Sequence, residues 1–171
     1  GYDRAVYVFG NYGEEFLTKE LGKPPKNLLK ISNYLGFMLD KGVELGFNRV
    51  LLAGHLGKMV KVSGGIFHTH SRVADARMEI MAAHAALAGA TQPVVAQVMA
   101  SKTTDGAAVI LQENGLLGVY QEIVDSAARR CQDHTHGRME VGCLLFHGKG
   151  ECLAMSREAE KWMEEMRRDN G

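Results

Sequence analysis

The stretch Arg49–Lys58 reads RVLLAGHLGK and joins an apolar run to a glycine-containing turn. Arg49–Ala53 has the composition of a short buried β-strand, and the glycines that follow it end the strand. Ala5–Phe9 and Leu28–Ile31 are two earlier runs of the same kind, and helical patterns separate all three. Strand, turn and helix in repeated succession are typical of right-handed βαβ crossovers. The sequence therefore predicts that these three strands lie parallel in one sheet.

The segments around these runs predict helices and a further pair of strands. Glu14–Leu21 is typical of a first helix, and Ser32 or Asn33 is predicted to cap a second helix that runs through about Leu45. Later helices are expected at Ala74–Leu87, Pro93–Ala100, Thr103–Gln112, Gly115–Arg130 and after Ser156. Further strands are expected at Val141–Phe146 and, returning antiparallel, at Glu151–Met155. We predict an α/β fold: a three-layer, Rossmann-like domain whose mainly parallel sheet is flanked by helices and has an antiparallel edge strand near the C-terminus.

Length and charge limit the classes of function. The 171 residues predict a single α/β domain, and 20 basic residues balance 20 acidic ones. Such a balance argues against a nucleic-acid partner or an anionic membrane partner, and no apolar run is long enough to span a membrane. The chain begins without Met and enters an apolar segment at once. We therefore expect its start to be a boundary inside a longer protein.

The cysteines indicate a reducing compartment. Cys131, Cys143 and Cys152 are odd in number and widely spaced, and none forms a C-x-x-C pair. Neither a disulfide framework nor a zinc knuckle is supported by this pattern. The cytoplasm is the expected location.

Polar residues follow the predicted strands, where an open parallel sheet binds its ligands. Gly10–Gly13 and Gly54–Gly57 are turns that allow a ligand to approach backbone N–H groups at a helix N-terminus. Lys58 follows the second turn, and Lys61 lies on the same helical face. The turn is not a phosphate-binding P-loop, because Met59 stands where that motif needs a hydroxyl.

The stretch Gly64–Arg77 concentrates chemistry-bearing side chains: two histidines, two hydroxyls, two arginines and one carboxylate. His68 and His70 alternate, so an extended segment would present both imidazoles on one face, as a metal site requires. No third ligand stands at a suitable spacing, so we expect hydrogen-bonding histidines and no metal site held by the protein. A polar, locally basic pocket of this kind suits a polyanionic organic ligand.

Four motifs occur here in the order in which one known family has them. They are FGNYG at 9–13, KISNYLG at 30–36, LLAGHLGKMVK at 51–61 and GGIFHTHSRVAD at 64–75, and EIMAAHAA at 79–86 continues the match. The chain resembles the CbiD family in these motifs, the cobalt-precorrin-5B C(1)-methyltransferases of the anaerobic cobalamin (vitamin B12) pathway. Phe9 departs from the pattern, since the family has a proline before this turn. The family also has a preceding N-terminal domain, so the resemblance implies that this chain is the C-terminal part of a longer two-domain protein.

The resemblance implies transfer of a methyl group from S-adenosylmethionine to ring carbon C-1 of cobalt-precorrin-5B, giving cobalt-precorrin-6A. Matched to that chemistry, the candidate cofactor-binding residues are Gly10, Asn11, Gly13, Ser32, Asn33, Gly54 and Gly57. Residues expected to bind the carboxylate-rich tetrapyrrole substrate are Lys58, Lys61, Thr69, Ser71, Arg72, Asp75 and Arg77. Proton handling is assigned to the candidate catalytic residues His55, His68 and His70. We further expect that Lys61 can be replaced by alanine with little loss of stability.

Two other classes of function remain open at this point. The chain could be a non-catalytic tetrapyrrole- or nucleotide-binding module of such an enzyme, with an absent N-terminal domain as its partner. Alternatively, His68 and His70 could belong to a metal-dependent hydrolase. A homo-oligomer is also left open.

Overall fold

The computed structural model describes residues 3–148 and 150–170. These residues form five strands and eight helices. The strands are β1 (Arg4–Val8), β2 (Leu28–Lys30), β3 (Arg49–His55), β4 (Glu140–His147) and β5 (Glu151–Met155). The helices are α1 (Asn11–Leu21), α2 (Leu35–Glu44), α3 (Leu56–Ser63), α4 (Arg77–Leu87), α5 (Gln92–Met99), α6 (Thr104–Glu113), α7 (Val119–His134) and α8 (Arg157–Asn170). Strands and helices alternate from β1 to α3, and the later elements do not keep this alternation.

The strands form one sheet in the order β2-β1-β3-β4-β5. The first four strands are parallel, with Val6 beside Leu51 and Leu51 beside Gly142, and β5 pairs antiparallel with β4. The predicted α/β fold, with its three parallel strands and its antiparallel strand near the C-terminus, is confirmed.

Side chains alternate across the sheet into two apolar layers, as the pleat of a strand requires. Tyr7 and Leu52 point into the larger core, which α2, α3 and α7 cover together with α4–α6. Val8 and Leu51 point to the other face, where α1 and α8 pack. Both faces of the central strands are therefore buried, which gives the three layers that the sequence predicts.

Four helix starts differ from the prediction. The first helix begins at Asn11 and not at Glu14, and α7 begins at Val119 and not at Gly115. The second helix begins at Leu35 with Tyr34 at its N-cap, and neither Ser32 nor Asn33 caps it. Ser32 has a positive φ of 51°, which places it in a tight turn before the helix. The helix predicted from Ala74 begins instead at Arg77, because the carboxylate of Asp75 accepts hydrogen bonds from the Arg77 backbone and side chain.

The cap predicted for the terminal helix is present. Ser156 Oγ accepts a hydrogen bond from the Ala159 N–H at 3.4 Å and another from the Cys143 N–H at 3.0 Å. One hydroxyl thus caps α8 and ties that helix to β4.

Candidate functional site

A cavity of about 580 Å³ lies at the carboxyl edge of the sheet. This volume is within the range of about 300–1,000 Å³ that is usual for ligand pockets. Its lining residues are Tyr12, His55, Gly57, Lys58, Lys61, Thr69, Ser71, Arg77 and Gly148. Seven of these nine residues are among the seventeen that the sequence singled out, so the fold brings part of the predicted site together.

The parallel topology explains why distant segments meet at this edge. Val8 pairs with Ala53 at the ends of β1 and β3, so the turns that follow the two strands lie side by side. Asn11 begins α1 at this edge, and its side-chain oxygen accepts a hydrogen bond from Lys30 Nζ at 2.8 Å. The N-terminus of α1 and the β3–α3 turn therefore share one edge of the sheet.

The segment 64–76, hereafter the His loop, is held against the segment that precedes α2. Thr69 N–H donates to the Asn33 carbonyl at 3.0 Å, and Leu35 N–H donates to the Phe67 carbonyl at 3.1 Å. The side-chain oxygen of Asn33 also accepts hydrogen bonds from Thr69 Oγ1 at 3.0 Å and from Lys58 Nζ at 2.7 Å. Asn33 therefore acts in the structure as a link between the His loop and α3.

Lys61 is buried beneath the His loop, with only 2% of the residue exposed. Its ammonium group donates to the carbonyl of Thr69 at 3.0 Å and to the carbonyl of Ala74 at 2.9 Å. Burial lowers the pKa of Lys61, while the carboxylate of Asp75 opposes that shift. Lys61 thus fastens the His loop and also contributes positive charge to the wall of the cavity.

The cavity is electrostatically positive. Lys58, Lys61 and Arg77 line it, and no carboxylate does so among the described residues. Desolvation lowers the pKa of Lys58, and the positive charges of Lys61 and Arg77 lower it further. Because these cations repel one another, a bound anion would relieve their repulsion.

Arg77 is fixed by the single acid of the loop. Its Nε and Nη2 donate to the two carboxylate oxygens of Asp75, both at 2.8 Å. The hydrogen bonds from Arg77 lower the pKa of Asp75 to about 2, so the carboxylate stays charged at neutral pH. Asp75 does not line the cavity among the described contacts, and its structural effect is to orient Arg77.

His55 ends β3 and faces the cavity. Its imidazole packs edge-on against Phe146, with 5.9 Å between the ring centroids. Desolvation lowers the pKa of His55, Asp105 acts in the opposite direction, and His147 lowers it again. The imidazole is therefore favoured in its neutral form.

His68 and His70 do not form a site with each other. The His68 ring lies edge-on to Tyr34 at 5.1 Å between centroids, whereas His70 is exposed and its Nδ1 accepts the Arg72 N–H. Among the described residues, no cluster with metal-ligand spacing includes either histidine. The arrangement that a hydrolase based on this pair would need is not present in that part of the chain.

Two predicted cofactor glycines are explained by packing. A side chain at Gly13 would lie 2.8 Å from Val8 Cβ, and one at Gly54 would lie 2.8 Å from the ring of Phe9. Both glycines are buried, so close packing of elements accounts for them without a ligand. A Cβ at Gly10 would meet no neighbouring atom within 4 Å, which leaves open space at the start of α1.

Other predicted residues lie away from the cavity lining. Arg72 and Ser32 are exposed. Conversely, Tyr12 and Gly148 line the cavity although the sequence did not single them out as site residues. The sequence could have indicated them by position alone, because each lies in the turn that follows a predicted strand.

A second cavity, of about 340 Å³, lies at the amino edge of the sheet. Arg4, Arg49 and Glu165 form ion pairs there, and Trp162 contributes to the wall. Among its described lining residues, none was predicted as a site residue. The chemistry-bearing residues therefore gather at the carboxyl edge.

The fold and the carboxyl-edge cavity define a class of protein: an α/β domain with a basic pocket at the carboxyl edge of its sheet. Residues 68–157, more than half of the chain, match the family model described as "CbiD, C-terminal domain". The chain belongs to this family. No solved structure matches it.

Similar curated proteins carry the name cobalt-precorrin-5B C(1)-methyltransferase. The protein of Alkaliphilus metalliredigens is 42% identical over 93% of this chain and 42% of its own length. The protein of Desulfitobacterium hafniense is 40% identical over 90% of this chain and 40% of its own length. The protein of a Thermoanaerobacter species is 40% identical over 95% of this chain and 44% of its own length. The chain thus spans about two fifths of the curated relatives that it matches. In the described part of the chain, every helix is too short or too polar to cross a membrane.

Proposed function

We propose that this chain is the C-terminal domain of an S-adenosylmethionine-dependent methyltransferase acting on C-1 of cobalt-precorrin-5B in cobalamin biosynthesis. Membership of the CbiD C-terminal domain family and the name of the relatives support this proposal. The observation that carries it in the structure is the cavity with three cations and no acid among its described lining residues. A tetrapyrrole with acetate and propionate side chains supplies the carboxylates that such a cavity binds.

Each cavity residue has a role in this proposal. Lys58 and Arg77 bind substrate carboxylates, and Thr69 and Ser71 add hydrogen bonds at the same wall. Lys61 holds the His loop in place for these contacts. Because methyl transfer depends chiefly on alignment of the reactants, rigid placement of the substrate is the main contribution of this wall.

The methyl donor fits the start of α1. The open space over Gly10 and the exposed side chain of Asn11 leave room for its polar groups at a helix N-terminus. When bound, S-adenosylmethionine supplies a methyl group activated by a sulfonium. Of the three candidate histidines, His55 is the one among the described lining residues, so it is the proposed acid–base group at the cavity.

The remainder of the longer protein is the proposed partner for catalysis, since this chain spans only part of its relatives. An isolated domain that binds the tetrapyrrole but transfers no methyl group would be the non-catalytic module. We place the protein in the cytoplasm, where its free thiols Cys131, Cys143 and Cys152 stay reduced.

The test is a binding titration of the chain with a carboxylate-bearing cobalt tetrapyrrole. Lys58→Gln should weaken binding about tenfold or more, because a charge-assisted hydrogen bond contributes about 1.5–3 kcal/mol. Lys23→Gln is the matched control, since Lys23 is exposed between α1 and β2 and lies outside the cavity. Equal affinity of Lys58→Gln and the native chain would contradict the proposal.

A second experiment separates enzyme from module. Transfer of labelled methyl groups from S-adenosylmethionine to the tetrapyrrole is followed with the full-length protein and with this chain alone. If only the full-length protein transfers methyl groups, this chain is the non-catalytic binding module. If neither protein transfers them, the methyltransferase proposal is contradicted.

A further inference from the structure

We propose that His55, Asp105 and His147 bind a first-row transition-metal ion such as Zn²⁺ or Co²⁺ at the wall of the cavity. One side-chain donor atom of each residue lies within 4.8 Å of the others. The three residues come from distant segments: the end of β3, the first turn of α6 and the end of β4. The fold brings these three residues together, and no sequence motif predicts that they meet.

Neighbouring strand ends place the two imidazoles. His55 pairs with Phe146 in the β3–β4 ladder, so His147 is the next residue along the edge. The two rings lie 5.4 Å apart between centroids and are tilted by 35°. The start of α6 lies close to the start of α3: a Cβ added at Gly57 would be 3.6 Å from Thr104 Oγ1. This proximity places Asp105, the next residue of α6, near the histidines.

An unsatisfied nitrogen within the cluster points to a ligand. His147 Nδ1 is buried and has no hydrogen-bond partner among the described residues. It lies 3.5 Å from Asp105 Oδ1, near the carboxylate but without a hydrogen bond to it. Burial of an imidazole nitrogen without a partner is unfavourable, and coordination of a cation would satisfy both this nitrogen and the carboxylate.

The three donor atoms lie farther apart than the ligands of a bound metal ion, by a distance that side-chain motion can remove. Metal–ligand bonds of about 2.0–2.2 Å in a tetrahedral site set ligand atoms about 3.3–3.6 Å apart. The Asp105 side chain is 62% exposed, so it is free to change rotamer. Since no separation exceeds 4.8 Å, each has to shrink by at most about 1.5 Å, which a rotation of the exposed carboxylate and small ring movements provide.

The donor set selects the kind of ion. Two imidazoles with one carboxylate suit zinc, cobalt, nickel or iron, whereas calcium and magnesium prefer sites made of oxygen ligands. The cobalt of a tetrapyrrole already has four ring nitrogens and can accept only axial ligands on its two faces. Three donors gathered on one side therefore fit a free ion better than the cobalt of the substrate.

The position of the site suggests what the ion does. His55 lines the cavity, and Gly148, which follows His147, lines it too. Three protein ligands leave a coordination position open, and an oxygen anion from the cavity can take it. His55 would then act at the cavity as a metal ligand rather than as a free acid–base group.

The experiment uses Co²⁺ alone as the probe, without tetrapyrrole or methyl donor, so its outcome is independent of the proposed function. Chelator-treated protein is titrated with Co²⁺ while its visible absorption is recorded, and Zn²⁺ is then added in competition. One Co²⁺ per chain with tetrahedral absorption bands, displaced by Zn²⁺, is expected. Failure of the native chain to bind either ion would overturn the proposal.

Variants identify the ligands. His147→Ala and Asp105→Asn should each weaken Co²⁺ binding about tenfold or more. His70→Ala is the control, because His70 is an exposed histidine outside the cluster. Asp105→Asn alters an exposed side chain and so keeps the test valid if His147→Ala fails to fold. Native-like affinity in Asp105→Asn, or an equal loss in His70→Ala, would contradict the assignment.

Discussion

Lys61 shows how a single charged residue can serve the structure and the site together. Its ammonium group lies below the surface, where backbone carbonyls of the His loop replace water around it. A buried charge of this kind is tolerated only when such oxygens solvate it. The spacing of Lys58 and Lys61 predicts that they share one helical face, and both line the cavity, but the spacing does not show which of them is buried.

Lys61→Ala should destabilise the chain, contrary to the expectation from the sequence. The substitution leaves the Ala74 carbonyl without its donor and removes buried methylene groups, so a loss of about 2 kcal/mol or more is expected. Urea unfolding measures it. Lys41→Ala, which removes an exposed partner of Glu44, should cost no more than about 1 kcal/mol. Equal stability of the two variants would refute this role for Lys61.

Tyr7 makes the free energy of unfolding depend on pH in the alkaline range. Burial raises the pKa of its phenol from 10.0 to about 12, and the hydroxyl donates to the Met38 carbonyl at 2.9 Å. Because the folded state favours the neutral form, this contribution is complete below pH 10 and is lost as pH rises through about 12. The stability difference between native chain and Tyr7→Phe should therefore shrink across this interval. Urea unfolding at several pH values measures it, and a constant difference would exclude the linkage.

At the scale of elements, β4 and α8 approach each other unusually closely. A Cβ at Gly142 would lie 2.6 Å from the backbone nitrogen of Ala159, which cannot move without shifting the helix. The Ser156 hydroxyl joins the same two elements by its hydrogen bonds. Glycine is therefore required here by the distance between strand and helix.

Gly142→Ala should lower the free energy of unfolding by about 1–3 kcal/mol, since an added methyl group must push α8 away from the sheet. Gly118→Ala is the matched control, because a Cβ at Gly118 meets no atom within 4 Å and its φ of −60° suits any residue. Thermal or urea unfolding of both variants provides the comparison. Equal effects at the two glycines would mean that α8 adjusts without cost.

The contrast between predicted and missed site residues has a physical reason at this scale. Lys58 was predicted because it follows a strand of a parallel sheet, where ligands bind, and Arg77 because chemistry-bearing side chains are concentrated in the stretch 64–77. Both signals are local in the sequence. Asp105 carries no such signal, because its position depends on how α6 packs against the start of α3. The cap predicted at Ser32 or Asn33 was wrong for a related reason: pairing of Asn33 with the His loop replaces the capping hydrogen bond.

For the whole molecule, the two apolar layers share one sheet, so they should unfold together. Strands β1, β3 and β4 contribute alternate side chains to both layers. Trp162, the single tryptophan of the chain, lies in the layer under α8, whereas most helices belong to the other layer. Tryptophan fluorescence and far-ultraviolet circular dichroism should therefore give coincident urea transitions. Two separated midpoints would show that the layers are independent.

The short length of β2 at the edge of the sheet limits how copies of this chain can associate. The strand has only three residues, lies at the edge of the sheet and ends in the exposed Lys30. Two prolines, Pro24 and Pro25, precede it and have no N–H to offer. Long, uncharged edges invite strands from other molecules, and this edge gives such a strand few backbone groups to pair with. Growth of the sheet into aggregates from this side is therefore disfavoured, which leaves the opposite edge at β5 and the helical surfaces for any association of copies.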